Sequence, residues 1–472
     1  MVYVSTCICV ILFLIWSGIF IKTYQLFAYN IKNFLISVFE FHLANGDKSK
    51  FVFTKRMCRF LFLYAIISFA IFFVINYFTK SIPLIIINYI LIFILSPAII
   101  VAVHYIISPL EILIKKFYIS KATKKLEKLN IIKIGITGSY GKTSTKNILA
   151  TILEKEYKVC VSPQNYNTEM GLTKTILENL DDHDVIIAEM GARHIGDIKS
   201  LTKIIKPQYG ILTTIGNQHL ETFKTLENIE NTKNELPLSI PENGIMVFNG
   251  DSPSGIKLYK NYKGNKYLSC CEDGYSYAKN IITDDSGSRF DMILDKDILH
   301  IETKLLGKCN INNIVTASTL AHLLGISNND IVSAVKSLLP SPHRLELIKN
   351  NYFTIIDDSY NSNIIGAKEA LETLSKFQGS KIVVTPGLVE MGEEQSDVNF
   401  KLGTMIADVA DYIIIMNETN KNYILSGAIS HNFDREKIYF CSSRKRQKEL
   451  LQLLTNKGCV VLFENDLPDN YK

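Results

Sequence analysis

No two of the nine cysteines are spaced as CxxC, and no Cys/His group falls at zinc-ligand spacing. Zinc ribbons and thioredoxin-type redox pairs are thereby excluded. The odd count, with Cys270 and Cys271 adjacent, fits reduced thiols in a cytosolic compartment rather than a disulfide framework. Coiled-coil heptads are absent, so the sequence leaves the oligomeric state open. Charge is sparse as well, at 21% of 472 residues against 47% apolar. That composition excludes disorder and collagen-like repeats and leaves room for about three domains.

Charge is missing altogether from two long apolar stretches, Met1–Ile21 and Ser81–Leu110, and from a third, Phe60–Phe78, flanked by Arg59 and Lys80. Each is long enough to cross a hydrocarbon core of about 30 Å as a helix. The first lacks a basic leader and a small-x-small cleavage site, which disfavours a signal peptide. His104 has no carboxylate partner within these stretches and reads as a packed polar residue. The net charge of +5 is uneven. Residues 1–128 hold 14 Lys/Arg and 4 Asp/Glu, while the remainder hold 37 and 42. A basic, apolar front joined to a mildly acidic body argues against a nucleic-acid partner. Lysines and arginines crowd the first loop (Lys22 to Arg59) and the segment after the third stretch (Lys115 to Lys128), whereas Lys80 stands alone between the second and third. The positive-inside rule then places the N-terminus outside and everything after about residue 110 in the cytoplasm, a multi-pass cell-membrane topology. Residues 111–129 read as a basic amphipathic linker, either lying on anionic headgroups or solvated.

The pattern changes at residue 131. Ile131–Ile136 is a short β-branched run, followed by Thr137-Gly138-Ser139-Tyr140-Gly141-Lys142-Thr143-Ser144 and then a helical pattern over Thr145–Leu153. Strand, glycine loop and helix in that order form a phosphate cradle: glycines let backbone N–H groups converge, Lys142 supplies a cation, and Thr143 offers a hydroxyl to a magnesium ion. Ile136 stands where the generic P-loop has its first glycine, so the motif is a shortened GxxGKT. A strand at Val185–Ala188 ends in Glu189, where a doubly wound sheet places metal ligands. Tyr209–Thr214 leads to His219, and a polar helix Thr225–Glu235 carries Lys233. Residues 265–306 read as short strands with turns, and a further α/β unit begins after Pro340 and Pro342, with strands at Thr354–Ile356 and Lys381–Val384. The expected fold class is an α-helical transmembrane region (1–110), then a P-loop-type α/β ATPase domain (130–339) and a Rossmann-like α/β domain (340–472).

Ordered motifs from about residue 129 to the end resemble the Mur ligases, ATP-dependent amide ligases of peptidoglycan precursor synthesis. They include TGSYGKTS at 137–144, NYNTEMG at 165–171, EMG at 189–191, GNQHLETF at 216–223, TKNEL at 232–236, GKCNINN at 307–313, HRLE at 343–346, DDSYNSN at 357–363 and ENDLPDNY at 464–471. DDSYN with a following Asn is most similar to the branch that adds D-alanyl-D-alanine to a muramyl tripeptide. The resemblance implies that Gly138, Gly141, Lys142, Thr143 and Ser144 hold ATP phosphates. It implies two magnesium sites, one with Thr143 and Glu189, the other with His219 and Lys233, the lysine being a candidate for carbamylation by CO2. Asn310 and Asn313 would face the adenine and Asp358 the ribose. Tyr360, Asn361 and Asn363 would shape the nucleotide pocket. Arg344 would approach the γ-phosphate, and Asn165 and Asn167 would belong to a substrate-side loop.

The sequence departs from the family pattern in several places. Cys309 stands where His is frequent, His343 where this branch more often has Gly, and Asn399 where His is common. The membrane region takes the place of the usual UDP-sugar-binding domain, which implies membrane lipid, and other cell-wall enzymes, as partners beside the muramyl peptide and D-alanyl-D-alanine. Two other functions remain open on these residues: a membrane-associated poly-γ-glutamate-type synthetase, and a non-catalytic ATP-binding scaffold. Retention of Lys142, Thr143, Glu189, His219 and Lys233 together disfavours the scaffold.

Overall fold

The computed structural model describes residues 2–40, 51–79, 81–163, 166–216, 220–349, 352–360, 363–389, 391–455 and 458–466. The chain divides into two compact units, residues 1–118 and 119–471.

The first unit is helical. Among the described residues, three of its helices are long and apolar enough to cross a membrane: Ile8–Leu26 within Val2–Leu26, Lys55–Phe78, and the apolar part of Ser96–Glu127. The stretch expected as one span over Ser81–Leu110 is instead divided. Ile82–Ile94 forms a shorter helix, and a new one starts at Ser96. Pro97 permits the break: it has no N–H to donate to the Phe93 carbonyl four residues back, and its fixed φ suits a helix's first turn. Aromatic packing fills the interior: the buried Phe13 ring stacks on Tyr64 at 5.7 Å and meets Phe72 and Phe93 edge-on at 5.6 and 5.4 Å. His104 is packed as expected, its Nδ1 2.5 Å from the Tyr24 hydroxyl. Arg59 grips Glu111 through two bonds of 2.6 and 2.7 Å. The large apolar side chains of Ile15, Phe62 and Ile87 stay exposed.

The second unit begins with the end of the Ser96–Glu127 helix, where Ala122 and Leu126 are buried. Its larger sheet has nine strands: β1 (Ile132–Thr137), β2 (Val159–Val161), β3 (Val185–Glu189), β4 (Tyr209–Leu212), β5 (Ile245–Asn249), β6 (Lys266–Ser269), β7 (Ser276–Asp284), β8 (Gly287–Leu294) and β9 (Asp297–Thr303). The spatial order is β2-β3-β1-β4-β5-β6-β7-β8-β9, parallel through β7 and antiparallel from β7 to β9. Alternation along the strands makes three layers. Ile134, Ile136 and Ile187 pack with the helices Lys142–Leu153 and Lys308–Leu323 on one face. Ile186, Ala188 and Leu212 pack with Glu169–Glu178 and Asp197–Ile205 on the other.

The smaller sheet contains β10 (Glu346–Lys349), β11 (Phe353–Asp358), β12 (Lys381–Thr385), β13 (Tyr412–Met416), β14 (Ile438–Cys441) and β15 (Cys459–Glu464). Its order is β10-β11-β15-β12-β13-β14, parallel except for β10. Asn399 is wholly buried here and clamps Leu388, accepting from its N–H and donating to its carbonyl at 2.8 Å each.

Candidate nucleotide and ligase site

After β1 the chain turns one way to β2 and β3 and later the other way to β4, so the end of β1 is the switch point where an open α/β sheet forms its crevice. The glycine loop occupies that point. Gly138 and Gly141 have φ of +151° and +77°. A Cβ at the first would run into the Thr213 hydroxyl and at the second into the Asn313 amide, so both positions require glycine. The Thr214 carbonyl accepts from the Ser139 and Tyr140 N–H groups at 2.9 and 3.2 Å. The Thr213 hydroxyl donates to the Tyr140 carbonyl at 2.6 Å. Gly141 then caps the Lys142–Leu153 helix, whose first N–H groups have no partner within the helix and open toward the crevice.

Lys142 folds over its own loop, Nζ donating to the Gly138 and Ser139 carbonyls at 2.9 and 2.8 Å. Burial pulls its pKa down to about 8; Glu189 opposes that shift and Arg344 adds to it. Glu189, 2% exposed at the end of β3, gathers the next layer. Its Oε2 accepts from the Thr143 hydroxyl at 2.9 Å and lies 3.2 Å from Lys146 Nζ. Its Oε1 accepts from the Asn167 amide at 3.1 Å.

These groups wall a cavity of about 430 Å³ that also takes in Lys233, Arg344, Tyr360 and Asn363. Lys233 is buried, and no hydrogen bond or ion pair reaches its ammonium from the described residues. Burial and the neighbouring Lys142 hold it well below the usual lysine range, against the pull of Asp197 and Glu235. Asn363 caps the helix Ile364–Ser375 and accepts from the Ile365 and Gly366 N–H groups. A second cavity of about 340 Å³ shares Ser144 and Arg344 with the first and is walled by Asn310, Ile148, Leu305 and Pro340. Its mix of apolar walls and two amides, Asn147 and Asn310, suits a flat heterocycle.

Not every expected residue reaches a wall. Asn313 stands behind the loop, its Oδ1 accepting from Thr145 at 3.1 Å. Asp358 accepts from the Leu345 N–H at 3.0 Å and lines neither cavity. Burial raises it to about 6, opposed by that N–H and by Arg344, with Asp357 and Glu369 adding to the rise. Asn165, His219 and Asn361 lie outside the described residues. Conversely, Lys146, Arg193, His194 and Asp197 were not anticipated, although the last three line the larger cavity. Lys146 had a legible signal, a lysine four positions after Lys142 and therefore on the same helix face.

Residues 136–321 match the Mur ligase middle domain, and residues 343–464 match the Mur ligase, glutamate ligase domain. The UDP-N-acetylmuramoyl-tripeptide–D-alanyl-D-alanine ligase of Buchnera aphidicola subsp. Baizongia pistaciae is 30% identical over 341 residues, covering 71% of this chain and 73% of that protein. The Bacillus subtilis enzyme of the same name is 26% identical over 343 residues, covering 72% and 74%. The crystal structure of MurF ligase from Thermotoga maritima in complex with ADP superposes with a TM-score of 0.69 at 27% identity, over 75% of this chain and 80% of that one. With a glycine loop at the switch point, a carboxylate one strand away and this shared architecture, the chain belongs to the Mur ligase family.

Proposed function

We propose that the chain is a membrane-anchored, ATP-dependent ligase that joins the terminal carboxylate of a muramyl tripeptide to D-alanyl-D-alanine. The observation that carries the reading is the convergence of Lys142, Thr143, Glu189 and Arg344 on one cavity beside a second, partly apolar one. ATP would place its base near Asn310 and its phosphates over the Gly138–Ser144 loop. The acceptor carboxylate attacks the γ-phosphorus and ADP leaves. The amine then attacks the acyl-phosphate carbon through a tetrahedral intermediate, expelling inorganic phosphate and losing a proton from nitrogen. Lys142 and Arg344 offset the charge of the transferring phosphoryl group, and a walled cavity keeps water from the acyl phosphate.

Thr143 and Glu189 present oxygen atoms 2.9 Å apart, a donor set that fits a hard divalent cation. Magnesium there would neutralise phosphate charge when bound. A second site would use His219 with Lys233, the lysine carbamylated. Its depressed pKa supports this, because an unprotonated amine is the form that adds CO2. Tyr360, Asn363 and Asn167 complete the walls of the larger cavity, while Asp358 stands outside it on the Leu345 N–H.

In this reading residues 1–110 form a membrane domain with three spans, the N-terminus lies outside, and the domains 130–339 and 340–472, the latter Rossmann-like, face the cytoplasm. The acceptor is then presented at the bilayer, with lipid and other cell-wall enzymes as neighbours. Phosphate release tests the proposal. It should require ATP, a muramyl tripeptide and D-alanyl-D-alanine together. A demand for glutamate instead would favour the polyglutamate synthetase, and no release at all would favour a scaffold.

A further inference from the structure

Arg344 lines both cavities from a bent stretch of backbone. His343 before it has φ of +62° and Leu345 after it +48°, both in the left-handed region that glycine enters without steric cost. A closed ring of hydrogen bonds holds the bend. The Tyr360 N–H donates to the His343 carbonyl at 3.1 Å. His343 Nδ1 meets Asp357 Oδ2 at 2.8 Å. Asp357 Oδ1 accepts from the Ser359 N–H at 3.1 Å and from its hydroxyl at 2.6 Å, and Ser359 leads into Tyr360. The Arg344 guanidinium lies over the Tyr360 ring, 4.5 Å from its centroid. The His343 N–H donates to Glu346 at 3.1 Å, which fixes the near end of the turn.

We propose that His343 is a positioning residue that sets the approach of Arg344 to the phosphate side of the cavity, an inference resting on the role given to Arg344 above. The His343 side chain is 57% exposed, and a polar contact so exposed adds little to global stability. Its effect is local: it ties the turn that carries Arg344 to the turn that carries the aromatic ring Arg344 rests on. Glycine at 343 would take the same backbone more easily but would break the ring of bonds at the imidazole. Small displacements of a group that stabilises a transition state are costly in rate, so the imidazole matters to turnover more than to folding.

The test uses the full chain in detergent, with ATP, UDP-MurNAc-tripeptide and D-alanyl-D-alanine, and compares His343→Gly, His343→Asn, Arg344→Ala and the double variant His343→Gly/Arg344→Ala. Expected is a kcat about 10- to 100-fold lower in His343→Gly, with KM for D-alanyl-D-alanine unchanged and the melting temperature not lowered. His343→Asn should recover part of the loss, because asparagine tolerates left-handed backbone and its amide nitrogen occupies the δ position of Nδ1. In the Arg344→Ala background the glycine change should have no further effect. Wild-type kcat in His343→Gly, or the same fold loss with and without Arg344, overturns the proposal. Wild-type turnover of Arg344→Ala alone overturns instead the role of Arg344 on which it rests.

Discussion

Lys146 and Glu189 form a buried ion pair, Nζ to Oε2 3.2 Å, with side chains 1% and 2% exposed. Thr143 donates to the same carboxylate oxygen, and Lys146 also donates to the Ser162 carbonyl at 2.8 Å. Burial lowers the Lys146 pKa, and Glu189 works against that shift. Removing one partner of such a pair strands a charge, at a cost of about 3–5 kcal/mol. Lys146→Met should therefore lower the melting temperature by roughly 10 °C. Adding Glu189→Gln should restore most of it, since the stranded carboxylate is gone. Equal melting of Lys146→Met and wild type in calorimetry would show that the pair is not what stabilises this corner.

Lys142 should behave in the opposite way. Its pKa is pulled down to about 8 by burial, so at neutral pH the protonated ammonium is held at a cost to the fold. Lys142→Ala should leave the melting temperature unchanged or higher while lowering phosphate release by roughly 100- to 1000-fold. Full turnover in this variant would remove the phosphate loop from the mechanism.

Asp358 gives a pH signature. Its folded pKa is raised to about 6, chiefly by burial. The native state keeps a proton that the unfolded chain gives up near pH 4. Stability from this group is therefore complete below about pH 4 and is lost as the pH rises through about 6, by about 3 kcal/mol. Melting curves of Asp358→Asn against wild type should diverge across that window, the variant holding its stability. Parallel profiles would mean that Asp358 ionises as it does in water.

Lys233 should be replaceable by chemistry. Lys233→Ala is expected to lose turnover, and small carboxylates such as formate or acetate should restore part of it by standing in for a carbamate. Labelled bicarbonate should give a carbamate carbonyl signal in the wild type and none in the variant. A wild-type protein without that signal, fully active in bicarbonate-free buffer, would rule carbamylation out.

The three apolar helices make a prediction about location. The full chain should stay in the membrane pellet after alkaline carbonate washing, and protease added outside intact spheroplasts should spare residues after about 119. Release into the wash would mean that the helices do not span.

Local pattern carried much of the fold. The β1 run, its glycine loop and the following helix lie within a few turns of chain, so the residues that make the cradle also fix where it sits. The expected strand at Ile131–Ile136 is Ile132–Thr137, and the expected helix at Thr145–Leu153 starts three residues earlier at Lys142, because Gly141 caps it. The apolar runs were equally plain, since charge-free length is a one-dimensional property. The break at Leu95 was less so: Pro97 permits either a kink or a new helix, and packing chooses between them.

What the sequence determined by itself was chemistry of short range: a glycine loop with its lysine, a carboxylate at a strand end and segments long and apolar enough to enter a bilayer. Only the tertiary structure decided which groups share a cavity, for burial and ion pairing depend on chain segments far apart in sequence. Lys146 became a buried partner of Glu189 because β3 lies beside β1. Arg344 came to rest on Tyr360 because the turn before β10 is pinned to the end of β11.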